Sequence, residues 1–367
     1  MRLQLCIVSM CLAMAALPSR STELGNDDTP DLDIPEGVTC MYSQQSLPLA
    51  LPTTTGCLGA LGQCSTVLTM SLPGNCTDGL QAPYPTVLMF AGYQVPIRYY
   101  NSLAEALARS GFAVMQYERS GVMPTAEVES AYFEPLMQWR SSINSTADSP
   151  FFGMFAEDLA LAGHSMGGGL AAVAAGSHSE AVTTAFLMDP VDWSFGSDRV
   201  SSQYLTRFGK PVAVASVGVH CLDRNGCYAP SNCSMPISPS PTAEGCSPSW
   251  WCCDWDSGSA SLSGSMTQGT RADPNGAQSF WAIAPQGSWQ MNLPSAGHMS
   301  FLDYDPASDP VQLLSCPYTH SHTDIQPAVK RLLVAWMRHY MLAKPLGSSW
   351  TAVEGGLSEM KPDVLPY

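Results

Sequence analysis

The stretch from Asp158 to Gly176 leaves this chain few folds to choose from. An apolar run of strand length, Leu159 to Ala162, meets Gly163-His164-Ser165-Met166-Gly167, and a run of small residues with helical character follows. A strand that turns through Gly-x-Ser-x-Gly directly into a helix predicts a sharp elbow with the serine at its tip. Gly163 and Gly167 remove the Cβ atoms that would clash around such a turn. The Ser165 hydroxyl would then stand above the carboxyl ends of a sheet. The Met166 N–H, at the start of the helix, would point to where an oxyanion forms. Ser165 is the candidate nucleophile.

Other segments supply a sheet for the elbow to sit on. Thr86–Phe90, Phe112–Tyr117, Thr184–Met188, Pro211–Val217 and Trp289–Leu293 read as strands, most of them continuously apolar as in a strand buried on both faces. Ser65–Met70 reads as a further strand among turns punctuated by cysteines. Ser102-Leu103-Ala104-Glu105 has the form of a capping box starting a helix that ends at Ser110-Gly111. A helix within 125–145 is expected to break at Pro135. From about Asp324, Val329, Leu332, Leu333, Trp336, Tyr340 and Met341 share one face of a final amphipathic helix. Strands alternating with helices predict an α/β fold with a mainly parallel sheet flanked by helices.

The chain starts Met1-Arg2, then runs apolar from Leu3 to Ala15 with Ala13-Met14-Ala15 as an Ala-x-Ala cleavage site. Residues 1–15 therefore read as a signal peptide, too short to span a bilayer, and no later stretch is long enough for a transmembrane segment. Residues 16–39, acidic and rich in proline and glycine, read as a mobile arm. The folded domain is expected over 40–346, interrupted at about 218–276 by a Cys-, Ser-, Gly- and Pro-rich excursion, with a tail at 347–367. Of 13 cysteines, Cys6 and Cys11 fall in the leader, which leaves an odd eleven. Cys40, Cys57, Cys64 and Cys76 form one group, six between Cys221 and Cys253 another, and Cys316 stands apart. No pair has Cys-x2-Cys spacing, so disulfides are favoured over zinc. Sequons at Asn75, Asn144 and Asn232 agree with the secretory route. The net charge of −15, with 16 Lys+Arg against 31 Asp+Glu, argues against a nucleic-acid partner. No Walker-type loop or His-Glu-x-x-His occurs, so neither a cofactor nor a metal is expected.

A serine hydroxyl needs an imidazole to take its proton, and the imidazole needs a carboxylate to set its tautomer. Among seven histidines, His298 lies in Ala296-Gly297-His298-Met299, a loop straight after the last strand, and is the candidate base. His164 is inside the elbow and reads as structural, with its ring turned from the hydroxyl. Three aspartates compete for the acid. Asp189 ends the strand after the elbow helix, Asp192 follows closely, and Asp223 lies beyond the next strand. Asp189 is preferred. The second oxyanion donor is expected from the loop after Phe90, where Gly92 permits close approach and Tyr93 supplies an N–H beside that of Met166. Met89, Met115, Met166, Met188, Met291 and Met299 fall in or beside strand ends, as an adaptable apolar pocket or plain core packing would both require.

At these residues the sequence resembles chlorophyllases, esterases that split chlorophyll into chlorophyllide and phytol. The resemblance rests on the apolar strand leading into Gly163-His164-Ser165, on Asp189-Pro190-Val191-Asp192, and on Gly297-His298-Met299-Ser300-Phe301-Leu302-Asp303. Ser110-Gly111-Phe112-Ala113-Val114 is similar to the family's strand entry. It covers about Pro83 to the last helix apart from most of the excursion. It implies an α/β-hydrolase fold, a triad of Ser165, Asp189 and His298, and an apolar ester, chlorophyll, as the small-molecule partner. Two positions depart from the family: Met166 stands where it has arginine, and Ala91-Gly92 where it has His-Gly. Gly-His-Ser-Met-Gly-Gly-Gly and the Gly-Tyr segment are instead similar to cutinases and polyester hydrolases. The position of the acid is similar to that in platelet-activating-factor acetylhydrolases. A secreted lipid or polyester esterase is therefore the alternative, and a catalytically silent binding protein a more distant one. Chlorophyllases imply a plastid, vacuolar or ER setting, which the leader satisfies if the plastid is reached through the ER.

Overall fold

The computed structural model describes residues 40–52, 55, 64–77, 79–93, 95–118, 126–192, 194–195, 199–217, 277–293, 296, 298–303 and 322–344. The expected leader, arm, excursion and tail lie outside these residues, as does Asp223. The architecture is mixed α/β. Ten strands are described: β1 Cys40–Ala50, β2 Ser65–Cys76, β3 Tyr84–Phe90, β4 Ala113–Tyr117, β5 Phe155–His164, β6 Val182–Met188, β7 Ser194–Phe195, β8 Arg199–Val200, β9 Val212–Val217 and β10 Trp289–Leu293. The helices are α1 Asn101–Arg109, α2 Ala126–Ser130, α3 Phe133–Ser145, α4 Met166–Ser177, α5 Leu205–Phe208, α6 Ala277–Ala282 and α7 His322–Leu342.

Eight strands form one sheet in the order β1-β2-β4-β3-β5-β6-β9-β10, and β7 and β8 pair separately. The pairs from β4 to β10 are parallel, whereas β2 runs antiparallel to both β1 and β4. Alternation along each parallel strand divides the core in two. Val87 and Met89 of β3, Ala160 and Ala162 of β5, and Phe186 and Met188 of β6 face α1 and α7. Leu88 and Phe90, Leu159 and Leu161, and Ala185 and Leu187 face α4 on the other side. The central strands are therefore buried on both faces, which is why they read as unbroken apolar runs.

Strand β1 was not foreseen. Its sequence, Cys-Met-Tyr-Ser-Gln-Gln-Ser-Leu-Pro-Leu-Ala, is mostly exposed, and its register is set by β2, with Cys40 opposite Cys76. A disulfide joins those two cysteines, and Cys64 is also disulfide-bonded. Of the sequons, Asn75 is exposed, whereas the Asn144 carboxamide bonds Phe155 in both directions, each at 2.9 Å.

Two helix expectations are corrected. The capping box does not form, because Ser102 N–H and Oγ both go to Asp303 and Glu105 pairs with Arg109 at 2.8 Å. Pro135 does not break a helix. The break falls before Phe133, and Pro135 sits in the first turn of α3, where an N–H would find no helical acceptor anyway. Helix α7 is buried more widely than one face, taking in Val334, Ala335 and Met337 as well. It is keyed to the sheet by the Trp336 indole N–H, which donates to Thr184 Oγ1 on β6 at 2.9 Å.

Candidate active site

The register of three parallel strands sets the site. Phe90 of β3 pairs with Gly163 of β5, and His164 of β5 pairs with Met188 of β6. Gly92, Ser165 and Asp189 thus leave the sheet side by side, all at the carboxyl edge. Ser165 turns there at φ 56°, ψ −125°, a conformation that costs a residue with a Cβ about 1–3 kcal/mol. The surroundings hold it. Ser165 N–H donates to Met188 O at 3.0 Å, and Ser165 O accepts from Gly168 at 2.9 Å and Val191 at 3.0 Å. Close approach explains the two flanking glycines. A Cβ on Gly163 would lie 2.1 Å from Gly167 O, and one on Gly167 would lie 2.3 Å from Phe90 O.

His298 opens a short turn, His298–Phe301, that follows β10 in the chain. Its Nδ1 lies 2.6 Å from Asp189 Oδ2, and its Nε2 lies 2.8 Å from Ser165 Oγ. A carboxylate only accepts, so Nδ1 carries the hydrogen and bare Nε2 accepts the serine proton. Asp189 is 1% exposed, Ser165 4% and His298 9%. Asp189 takes φ 38°, a left-handed setting aspartate tolerates better than most residues, and its N–H is tied to Ala215 O of β9 at 2.6 Å. Its second oxygen, Oδ1, is buried and has no hydrogen-bond partner among the described residues.

The competing aspartate is occupied elsewhere. Asp192 Oδ1 accepts from Ser201 Oγ and Ser202 N, both at 2.8 Å, and Oδ2 accepts from the hydroxyls of Ser202 and Ser279. It fastens α6 and the turn before α5 rather than touching the imidazole.

The loop after β3 lies against the serine, since a Cβ on Gly92 would stand 3.3 Å from Ser165 Cβ. The Gly92 N–H is given to Tyr100 Oη at 3.0 Å, and Tyr93 follows it in the loop. The Tyr93 ring is half-buried against the core on the α4 side, and Met166 begins α4, where the first N–H groups have no acceptor within the helix. The methionines are chiefly core. Met89, Met188 and Met291 pack on one face and Met115 and Met166 on the other, with only Met299 half-buried. They give no separate sign of an apolar pocket.

His164 does turn from the hydroxyl, and it is fully buried with Nδ1 2.7 Å from Tyr100 Oη and Nε2 2.8 Å from His298 O. Burial first, and the nearby His298 second, hold its pKa well below 6.5, against a smaller opposing pull from the His298 carbonyl. Asp303 secures the same turn from outside. Its carboxylate takes Ser102 N–H at 2.6 Å and Gln326 Nε2 at 2.8 Å, and its N–H donates to Tyr99 O at 2.7 Å. Tyr100 carried no sequence signal, and Asp303, although it ends the motif begun at Gly297, had nothing to mark Ser102 and Gln326 as its partners. The His164 contacts could have been sought, because a buried imidazole needs a partner for each nitrogen.

Among the described residues, no group of three or more His, Cys, Asp or Glu side chains is gathered to hold a metal ion, and no helix is long and apolar enough to cross a membrane. Neither a protein-family model nor a curated protein matches the chain.

Proposed function

We propose that the protein is a serine ester hydrolase of the α/β-hydrolase fold and that it cleaves the phytyl ester of chlorophyll to chlorophyllide and phytol. The observation that carries the hydrolase reading is the buried relay from Ser165 Oγ through His298 to Asp189, at 2.8 and 2.6 Å, with the serine at positive φ on a strand-to-helix elbow. The order Ser, Asp, His along the chain and the loop after β3 beside the serine support the same fold.

In the reaction, Ser165 Oγ attacks the ester carbonyl carbon as His298 Nε2 takes its proton. The carbonyl oxygen becomes an oxyanion, held by the N–H groups of Met166 and Tyr93. Asp189 stabilises the imidazolium and keeps its Nδ1–H in place. Collapse breaks the bond to phytol, and His298 Nε2–H protonates the departing oxygen. A water then gives a proton to the same nitrogen and attacks the acyl carbon. Release of chlorophyllide returns the proton to Ser165. One ester and one water yield one acid and one alcohol.

The substrate comes from the likeness of Asp189-Pro190-Val191-Asp192 and Gly297-His298-Met299 to chlorophyllases. Met166 and Gly92-Tyr93 favour a second reading, a secreted esterase of lipids or polyesters. Incubation of the protein with chlorophyll a in detergent, followed by chromatography, separates the two. Chlorophyllide and phytol are expected. Hydrolysis of p-nitrophenyl butyrate without any chlorophyllide would leave the second reading. No hydrolysis of any ester would favour a binding protein.

A further inference from the structure

His164 lies between the two loops that the proposed reaction uses. Its Nε2 faces the backbone carbonyl of His298 at 2.8 Å, and a carbonyl oxygen only accepts, so Nε2 carries the hydrogen. Nδ1 is then a bare acceptor, and the Tyr100 hydroxyl, 2.7 Å away, must donate to it. That hydroxyl is left to accept from the Gly92 N–H at 3.0 Å. The directions are forced from one end to the other: Gly92 N–H to Tyr100, Tyr100 O–H to His164 Nδ1, His164 Nε2–H to the carbonyl of His298. A chain of bonds pointing one way is cooperative and rigid, and in a fully buried setting each lost partner leaves a costly orphan. Packing closes it further. The His164 ring is 4.6 Å from that of His298 and 5.3 Å from Phe301, and a Cβ on Gly92 would stand 3.0 Å from His164 Nδ1.

We infer that His164 is a positioning residue, which through Tyr100 and the His298 carbonyl locks the base and the oxyanion loop into one register about Ser165. The inference rests on the serine-hydrolase reading. A second feature suits the role. When His298 takes the serine proton, a charged ring 4.6 Å away would oppose it, and the His164 environment keeps that ring neutral.

Two amides divide the function of the ring. Glutamine places an N–H near the position of Nε2 and can still donate to the His298 carbonyl, whereas asparagine reaches only the position of Nδ1. For p-nitrophenyl butyrate, His164→Asn is expected to lose about 10–100-fold in kcat with KM little changed, since a base displaced by about 1 Å costs on that order. His164→Gln should recover kcat to within about fivefold of the wild type. Labelling of Ser165 by a fluorophosphonate should follow the same order, slow in the asparagine variant and nearly normal in the glutamine one. Tyr100→Phe deletes one oxygen from the chain, and it should lower kcat and slow labelling without moving KM. It carries the test if His164→Asn does not fold. Equal kcat in both His164 variants, or wild-type kcat and labelling in Tyr100→Phe, would overturn the inference while wild-type labelling keeps the hydrolase reading intact. A wild-type protein that neither labels nor hydrolyses the ester would remove that reading, and the role of His164 with it.

Discussion

Replacing Asp189 by asparagine tests the relay at its most buried member. The side chain is 1% exposed and meets His298 Nδ1 at 2.6 Å through Oδ2, while Oδ1 has no partner among the described residues. The amide can sit two ways. With its oxygen toward Nδ1–H the imidazole keeps the right tautomer, but the NH2 then points where no acceptor is found, at about 1–3 kcal/mol for the orphaned donors. With the NH2 toward Nδ1 the donor is satisfied, and the hydrogen on the imidazole is driven to Nε2, which can no longer accept from Ser165. The second arrangement is favoured, and it disables the base. Asp189→Asn should therefore lose about 10³–10⁴-fold in kcat, or roughly 4–5.5 kcal/mol of barrier, with the fold intact. Initial rates on p-nitrophenyl butyrate, with circular dichroism as the control for folding, measure it. Asp192→Asn is the contrast. Its carboxylate is bound by Ser201, Ser202 and Ser279, so the change should cost about 1–3 kcal/mol of stability and leave kcat within about tenfold. Asp223→Asn should also stay within about tenfold. Activity within tenfold in Asp189→Asn, with Asp192→Asn or Asp223→Asn silent, would refute the assignment.

Gly167→Ala puts a Cβ 2.3 Å from one backbone oxygen and 2.5 Å from another, so it should cost about 3 kcal/mol or more and be read as a large fall in Tm. Replacing Cys40 and Cys76 by serine opens a loop of sequence separation 36, and urea unfolding should show a loss of about 2–4 kcal/mol, cancelled when both proteins are reduced. The His164 pKa is lowered by folding, so the unfolded chain binds its proton first as pH falls. The wild type should lose stability below about pH 6.5, by at most about 1.4 kcal/mol per pH unit from this residue, and the slope should be shallower in His164→Gln.

What the sequence made legible follows from how each element is stabilised. Strands β3 to β6 and β9 were readable because a parallel strand buried on both faces must be apolar throughout. Strand β1 was hidden because it is mostly exposed and held by pairing with β2 and by the Cys40–Cys76 bond, neither of which leaves a periodic pattern. The Ser102 capping box failed for a related reason: the group that takes its N–H is Asp303, 201 residues away. At the site, Ser165 and His298 stood in local motifs. In the sequence, Asp189 is preferred over Asp192, three residues on, from its place at the strand end and from the resemblance, neither of which gives a physical reason. The pairing of Met188 with His164 separates them, since it brings residue 189 level with Ser165. Tyr100 reaches His164 only through tertiary packing, and a tyrosine near a helix start has no feature to mark it.

The central claim is that Ser165 forms a covalent acyl intermediate. The most direct measurement is intact-mass analysis of acid-quenched mixtures of the protein with a slowly deacylating p-nitrophenyl ester, followed by peptide mapping. A mass gain equal to the acyl group, confined to the peptide carrying Ser165 and absent in Ser165→Ala, is the predicted result. Ester hydrolysis that persists in Ser165→Ala, or an adduct on any other residue, would contradict it.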